Sequence, residues 1–172
     1  MIIEKIEIRI FKNEDQEQID LLMEQIQEEF NEPILNSSSK KISDLALSNG
    51  RFFWVANINQ MIIGTVGILK INDNTGILKS MFVSKQYRGI HWGISKKLLD
   101  VAKLWATENN LSELLLGTMD QFKSAQKFYV KNGFIEILKH QLPTEFELNP
   151  LDNKFYKLNF QQPELNSMTA NF

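Results

Sequence analysis

Between Met81 and Trp105 the chain reads MFVSKQYRGIHWGISKKLLDVAKLW, an apolar strand that passes through a basic turn bracketed by glycines into an amphipathic helix. The strand half, Ile77 to Val83, ends in Met81-Phe82-Val83, and the helix half places Ile94, Leu98, Ala102 and Trp105 on one face at helical spacing. Gly89 and Gly93 bracket the turn. The start of a helix leaves backbone N–H groups without intrahelical partners and carries the positive end of the helix dipole, so a phosphate placed there finds donors waiting. Glycine lets the backbone adopt φ > 0 and come close to a ligand. Arg88 offers a guanidinium that can fork onto a pair of phosphate oxygens. Taken alone, the turn fits an ordinary strand-to-helix connection equally well. Two common phosphate motifs are absent. Gly93 follows Gly89 by four residues and is followed by Ile94, which rules out G-x-x-x-x-G-K-[ST], and His91 stands where the middle glycine of G-x-G-x-x-G belongs. Neither a nucleoside triphosphate nor a nicotinamide dinucleotide is favoured.

The 172 residues fit one domain with one core, and 43% apolar residues with 12 Phe and 3 Trp suffice to fill it. The net charge of −2 argues against nucleic acid or an anionic membrane as the main partner. No cysteine is present, which removes disulfides, thiolate nucleophiles and Cys-ligated zinc, and two histidines as far apart as His91 and His140 make no metal site. The opening MIIEKIEIRI has acidic residues inside its apolar stretch, and no run approaches the ~18 apolar residues of a membrane span. The expected location is cytoplasmic.

Along the chain, Ile6, Ile8 and Ile10 alternate as in a half-buried strand. Asn13, Glu14 and Asp15 offer a cap to a helix carrying Ile19, Leu22, Met23, Ile26 and Phe30 and closed by Pro33. Asn36 to Ser39 reads as a polar loop, and Ile42, Leu45 and Ala46 as a short second helix stopped by Asn49-Gly50. Phe52 to Ala56 and Met61 to Lys70 form a hairpin about a turn at Asn57 to Gln60, and Asn72 to Gly76 turns into the strand that feeds the glycine turn. After the long helix, Ser112 to Thr118 reads as a buried strand ended by Gly117-Thr118. Asp120 is placed to cap a helix from Gln121 to Lys131 that stops at Asn132-Gly133. Phe134 to Leu138 and Lys154 to Phe160 complete the strands, and residues from about 161 to 172 lack periodicity and read as a frayed tail. No repeat or linker interrupts the order. It predicts a mixed α/β sheet with antiparallel hairpins in the middle and a right-handed crossover around the central helix.

Two stretches then stand together. Val83 to Leu99, with LLLGTMDQFKSAQKFYVKNGF from Leu114 to Phe134, resembles the GNAT superfamily of acyl-CoA-dependent N-acyltransferases. The strand-turn-helix unit is similar to its pyrophosphate loop, and Phe128-Tyr129-x-x-Asn132-Gly133-Phe134 to its last catalytic helix running into the next strand. The resemblance covers roughly Phe53 to Phe160 by order of elements. It implies a single N-acetyltransferase domain over residues 1–172, with a mostly antiparallel twisted sheet of about seven strands and helices on both faces. Acetyl-CoA, as cosubstrate and without a metal, would lie in an opening between two splayed parallel strands, Ile77 to Val83 and Ser112 to Thr118. Backbone groups near Met81, Phe82 and Val83 would bond its pantetheine arm. Arg88, Gly89, Ile90, His91, Trp92, Gly93 and Ile94 would wrap its diphosphate, and Ser124 and Ala125 would approach it closely. In the family pattern Gln/Arg-x-x-Gly-x-Gly/Ala, Gln86 and Gly89 match the first half. His91 breaks the second, so Gly93-Ile94 is expected to take over the small-residue position in a slightly longer turn.

Moving an acetyl group from a thioester to an amine requires a neutral amine, a stabilised oxyanion and a proton for the departing thiolate. Tyr129 matches the family's general acid by position, although without the motif it reads as a core aromatic beside Phe128. A backbone N–H at the end of Met81-Phe82-Val83 is the simplest oxyanion donor. The base is open: the strand from Gly76 to Val83 holds no carboxylate, which leaves a water chain, Glu28 or Glu29, Glu145 or Glu147, His91 or His140. The expected acceptor is a primary amine of a small molecule or peptide, attacked directly in a ternary complex, and a homodimer is compatible with this reading. The rival is an acyl-CoA-binding module without turnover.

Overall fold

The structure, a computed structural model, describes residues 5–35 and 51–161. The expected polar loop at Asn36 to Ser39, the short helix about Ile42 to Ala46 and the C-terminal tail lie outside the described residues. Strands β1 (Ile6–Ile10), β2 (Arg51–Ile58), β3 (Met61–Lys70), β4 (Thr75–Val83), β5 (Glu113–Thr118), β6 (Ile135–Ile137) and β7 (Lys154–Asn159) form one sheet in the order β1-β2-β3-β4-β5-β7-β6. The β4–β5 pair alone is parallel, and the helix α2 (Ile94–Glu108) makes the crossover between them. Helices α1 (Gln16–Gln27) and α3 (Lys123–Lys131) complete the described architecture, a mixed α/β sheet with helices on both faces, as the sequence predicts.

The strand alternation sorts the core onto two faces. Trp54, Ala56, Val66, Ile68 and Leu78 point to one face, where Ile94, Leu98, Leu99, Ala102 and Ala106 of α2 and Tyr129 of α3 cover them. Ala106 closes the buried stripe of α2 where Trp105 was expected; Trp105 lies at its edge, its ring 4.4 Å from Phe52 and 6.1 Å from Trp54. On the other face Phe53, Val55 and Ile62 meet Ile19, Leu22 and Ile26 of α1. Further along that face, Ile77, Leu115 and Phe155 are covered by Phe146 from the β6–β7 loop.

Several boundaries differ from the sequence expectation for reasons that are local. The β2–β3 hairpin turns on Asn59 and Gln60 alone, both with positive φ, as a two-residue turn that follows the strand twist requires. Asn57 is buried in β2, its amide donating to Glu7 at 3.4 Å. α1 ends at Gln27, and the next turn tightens to bonds from Glu29 N–H to Ile26 and from Phe30 N–H to Gln27. α3 begins at Lys123 rather than Gln121. Asp120 does not cap it; its carboxylate pairs with the Lys123 ammonium at 2.6 Å.

Asp15 starts α1 without capping it through its side chain. Its carboxylate, 3% exposed, is instead forked by Arg9 at 2.7 Å on both oxygens and takes the Lys12 N–H at 2.7 Å. This ties α1 to the edge strand β1. The Arg9 hydrogen bonds hold the Asp15 carboxyl below its ordinary pKa, so the pair contributes fully above about pH 4 and its contribution is lost as pH falls through the lower folded value. Asp15→Asn is expected to lower the unfolding free energy by about 2 kcal/mol at pH 7. The gap from wild type should narrow in urea titrations below about pH 4, and a gap that stays constant with pH would show that the charge is not what stabilises.

Candidate active site

The parallel pairing of β4 with β5 covers three residue pairs, Thr75 to Ile77 against Glu113 to Leu115. Beyond them the strands part, and the cause lies in β4. Thr65 stands opposite Phe82 and Gly67 opposite Lys79, so Ser80 and Met81 share the single residue Val66. Ser80 is left-handed at φ 51°, and the Thr65 hydroxyl donates to its carbonyl at 2.6 Å. This is a β-bulge, which bends its strand and breaks the local ladder. It also shifts the alternation: Ile77 and Phe82 pack on the α1 side, whereas Met81 and Val83 pack on the α2 side. The parted strands line a cleft of about 1870 Å³ that runs from the start of α2 to the α1 face.

At one end of the cleft the glycine turn closes on itself, with the Gly93 N–H donating to the Gly89 carbonyl at 3.1 Å. Gly89 has φ 110° and Gly93, the residue before α2, has φ 64°. The Lys97 N–H bonds the Gly93 carbonyl at 3.0 Å, so the amides of Ile94, Ser95 and Lys96 precede the first intrahelical bond and lie at the positive end of the dipole. Gly93 thus stands at the last position before the helix, where its backbone is left-handed. The Ile94 side chain does not face the turn; at 1% exposed it is core, and its backbone alone is available there. Ile90 is 90% exposed at the rim. His91 packs on Trp92 with the rings tilted and their centroids 5.3 Å apart, Trp92 meets Tyr87 edge to face at 5.1 Å, and neither His91 nor Trp92 lines the cleft.

Arg88 lines the cleft, but its fork is on a carboxylate rather than open for phosphate. Its two terminal nitrogens donate to Glu29 at 2.6 and 2.9 Å, and its Nε donates to the Val83 carbonyl at 2.7 Å. One arginine therefore joins the end of β4, the glycine turn and the end of α1. Of the backbone groups of Phe82 and Val83 expected to bond the pantetheine arm, the Val83 carbonyl accepts this bond from Arg88.

Ser124, Ala125 and Tyr129 of α3 line the opposite wall. The helix ends with Gly133 N–H bonded to Val130 and Phe134 N–H to Tyr129 at 3.1 and 3.0 Å, around Gly133 at φ 93°. This is the Schellman arrangement, and it explains why Asn-Gly-Phe follows the tyrosine by three residues: the motif fixes the backbone of Tyr129. The Tyr129 ring packs 5.5 Å from Phe134 and 6.2 Å from Tyr156. Among the described residues none hydrogen-bonds its hydroxyl. Burial, and secondarily the charge of Asp152, push the phenol well above its ordinary pKa.

Asp152 is the residue that the sequence reading missed. The loop before β7 is stitched to the end of β5 by the Asn153 N–H to the Thr118 carbonyl at 3.0 Å and by the Asn153 side chain to Asp120 N–H at 2.7 Å. The Asp152 carboxylate rests against Gly117, where a Cβ would come within 2.3 Å of its Oδ2 and 2.9 Å of its Cγ. Burial pushes its pKa up to about 6 against the opposing pull of Lys79. No motif surrounds Asp152. The one signal was a glycine following Leu114-Leu115-Leu116, since a glycine in a buried strand marks a close approach. Of the other candidate bases, Glu29 is held by Arg88, Glu147 pairs with Lys79 at 3.7 Å and Arg51 at 3.8 Å, Glu28 and Glu145 are exposed, and His140 lies in a separate surface hollow.

The acetyltransferase (GNAT) domain family matches residues 49–136, which hold the bulge, the glycine turn and the Tyr129 helix. The chain belongs to the GNAT superfamily. It is 29% identical over 118 residues to N-acetylaspartate synthetase of Xenopus tropicalis and 33% identical over 90 residues to human N-acetyltransferase 8B, matches that take in 66% and 49% of this chain but only 42% and 39% of those relatives. Among solved structures, a GNAT acetyltransferase of Staphylococcus aureus Mu50 superposes with TM-score 0.83 at 34% identity, covering 91% of this chain and all of that one. The PaiA N-acetyltransferase of Thermoplasma acidophilum, solved with coenzyme A, shares the fold at TM-score 0.71 and 20% identity over 91% of this chain and 99% of its own. Within this GNAT framework the splayed strands, the turn and Tyr129 line one cleft, while the Arg88 fork is held by Glu29 and the Ile94 side chain lies in the core.

A Cβ at Gly93 would meet nothing closer than the Ile90 carbonyl at 3.8 Å, so any cost of substitution there is backbone strain and not crowding. Gly93→Ala is expected to destabilise by about 1 kcal/mol in denaturant titration. A neutral result would mean that the turn reaches the helix without a left-handed residue.

Proposed function

We propose that the protein is an N-acetyltransferase that passes the acetyl group of acetyl-CoA directly to a primary amine in a ternary complex. The observation that carries this reading is Tyr129, a buried residue in the wall of the cleft between the splayed strands whose hydroxyl takes no hydrogen bond from the described residues. The free amides of Ile94, Ser95 and Lys96 suit the diphosphate of the cosubstrate, and the two left-handed glycines let the backbone close around it. The unpaired edge of β4 past Ile77 offers the pantetheine arm the hydrogen bonds of an added strand. Tyr129 stays protonated until a thiolate forms beside it, which is when a general acid is needed.

The acceptor enters from the α1 side, where Arg51 and Lys79 line the cleft. Relatives and structural neighbours named as synthases of N-acetylaspartate and N-acetylglutamate acetylate amino acids. These two cations share the single carboxylate of Glu147 at 3.8 and 3.7 Å, and the net positive charge left on that wall suits the carboxylate of such an acceptor, so amino acids are the first amines to test.

Thiol release from acetyl-CoA should rise on adding an amine from a panel led by amino acids and should stay at background without one. Tyr129→Phe should lower kcat by about 10²-fold or more, while calorimetry with coenzyme A shows an unchanged Kd. No thiol release with any amine, or full kcat in the phenylalanine variant, would overturn the reading.

A further inference from the structure

We propose that Asp152 is the catalytic base that takes the proton of the acceptor ammonium, a role that rests on the acetyltransferase reading. The argument begins with the faces of β5. Leu114 and Leu116 pack with Tyr129 on the α2 side, and Leu115 packs with Phe155 on the other. Gly117 continues the Leu115 side, so the carboxylate that rests on it and the Tyr129 phenol flank the end of one strand from opposite faces. A thioester held between the splayed strands lies between them, with an acid on one side and a base on the other.

The absence of a side chain at Gly117 makes this possible, because any Cβ there would displace the carboxylate. Among the described residues none hydrogen-bonds the Asp152 side chain, and both it and Tyr129 line the cleft. The charged groups around it are few. From β4 Lys79 faces it, from α3 the neutral Tyr129, and β5 presents only Gly117. In its own loop Glu147 is paired with Arg51 and Lys79, and Lys154 is held by Glu136 of β6 at 3.0 Å. A carboxyl that titrates at about 6 is ionised at neutral pH and still basic enough to draw a proton from an ammonium next to it.

The step balances as follows. The acceptor ammonium gives one proton to Asp152, and the freed lone pair forms the C–N bond as the thioester carbonyl becomes an oxyanion. When the oxyanion collapses, the C–S bond breaks, the sulfur takes the Tyr129 proton, and the second proton of the nitrogen refills the phenol. Asp152 releases its proton to water before the next turnover.

The test compares kcat/KM against pH for wild type and Asp152→Asn, with a strongly basic primary amine and with weakly basic trifluoroethylamine. With the basic amine, wild type should fall off below about pH 6 and run flat above it. Asp152→Asn should be about a hundredfold slower at pH 7 and climb tenfold per pH unit toward the amine's own pKa, because it must wait for the neutral amine. With trifluoroethylamine, already neutral at pH 7, it should approach the wild-type rate. Lys79→Met removes the charge that opposes protonation and should move the acid limb to higher pH. Equal losses for both amines at every pH, a wild-type profile in Asp152→Asn, or an unmoved limb in Lys79→Met would overturn the role of Asp152 while leaving the acetyltransferase reading intact. A wild-type enzyme without thiol release would overturn both.

Discussion

One extra residue in β4 shapes this molecule. Without the bulge at Ser80 and Met81, β4 would continue its ladder beside β5 and the sheet would close over the space that is now the cleft. The left-handed Ser80 is a strained choice for a residue with a side chain, and the bond from the Thr65 hydroxyl to its carbonyl offsets part of that cost. The neighbouring backbone fits because Gly64 has no side chain: a Cβ there would come 2.9 Å from the Phe82 carbonyl and 3.1 Å from Leu98. The shifted alternation then turns Phe82 toward α1 and Val83 toward α2, so the two layers on either side of the sheet grip the same strand end.

That strand end is also where the two halves of the cleft are connected. Arg88 takes the Val83 carbonyl with one nitrogen and the Glu29 carboxylate with two others, so a displacement of the glycine turn is felt at the end of α1. The ion pair is partly open to solvent, Arg88 being 39% and Glu29 17% exposed in their side chains, and pairs of that kind hold by about 1 kcal/mol or less. Such a link is strong enough to set a preferred position for the turn and weak enough to be exchanged for a doubly charged diphosphate.

What the sequence made legible follows from the range of the interaction. The helix start at Ile94 and the stop at Asn132-Gly133-Phe134 are decided by residues within one turn of each other, and both are found where the letters place them. The bulge has no local signature, because it depends on Val66 of one strand facing two residues of another. The partner of Arg88 is 59 positions away, and a guanidinium suits a carboxylate as well as a phosphate. Asp152 and Gly117 lie far apart in the chain, and only the pairing of β5 with β7 brings the loop down onto the strand. Asp15 misled in the opposite way: it stands where a helix cap belongs, yet two charge-assisted bonds to Arg9 outweigh one bond to a backbone amide.

Burial acts on Tyr129 and Asp152, which both line the cleft, in the same direction and with different consequences. It raises Asp152 toward neutrality, where a carboxyl exchanges protons readily, and it raises Tyr129 further from neutrality, where a phenol gives up its proton only to a strong base at contact distance. A phenolate left in that packing would be costly, all the more with a carboxylate nearby, so under the proposed chemistry Tyr129 cannot release its proton and wait. The proton it hands to sulfur must be replaced from the nitrogen as the intermediate collapses. In the same proposal Asp152, opposite and facing Lys79, would hold the other proton out of the way until then. The separation of the two groups by the thickness of one strand would keep that first proton from returning through the phenol.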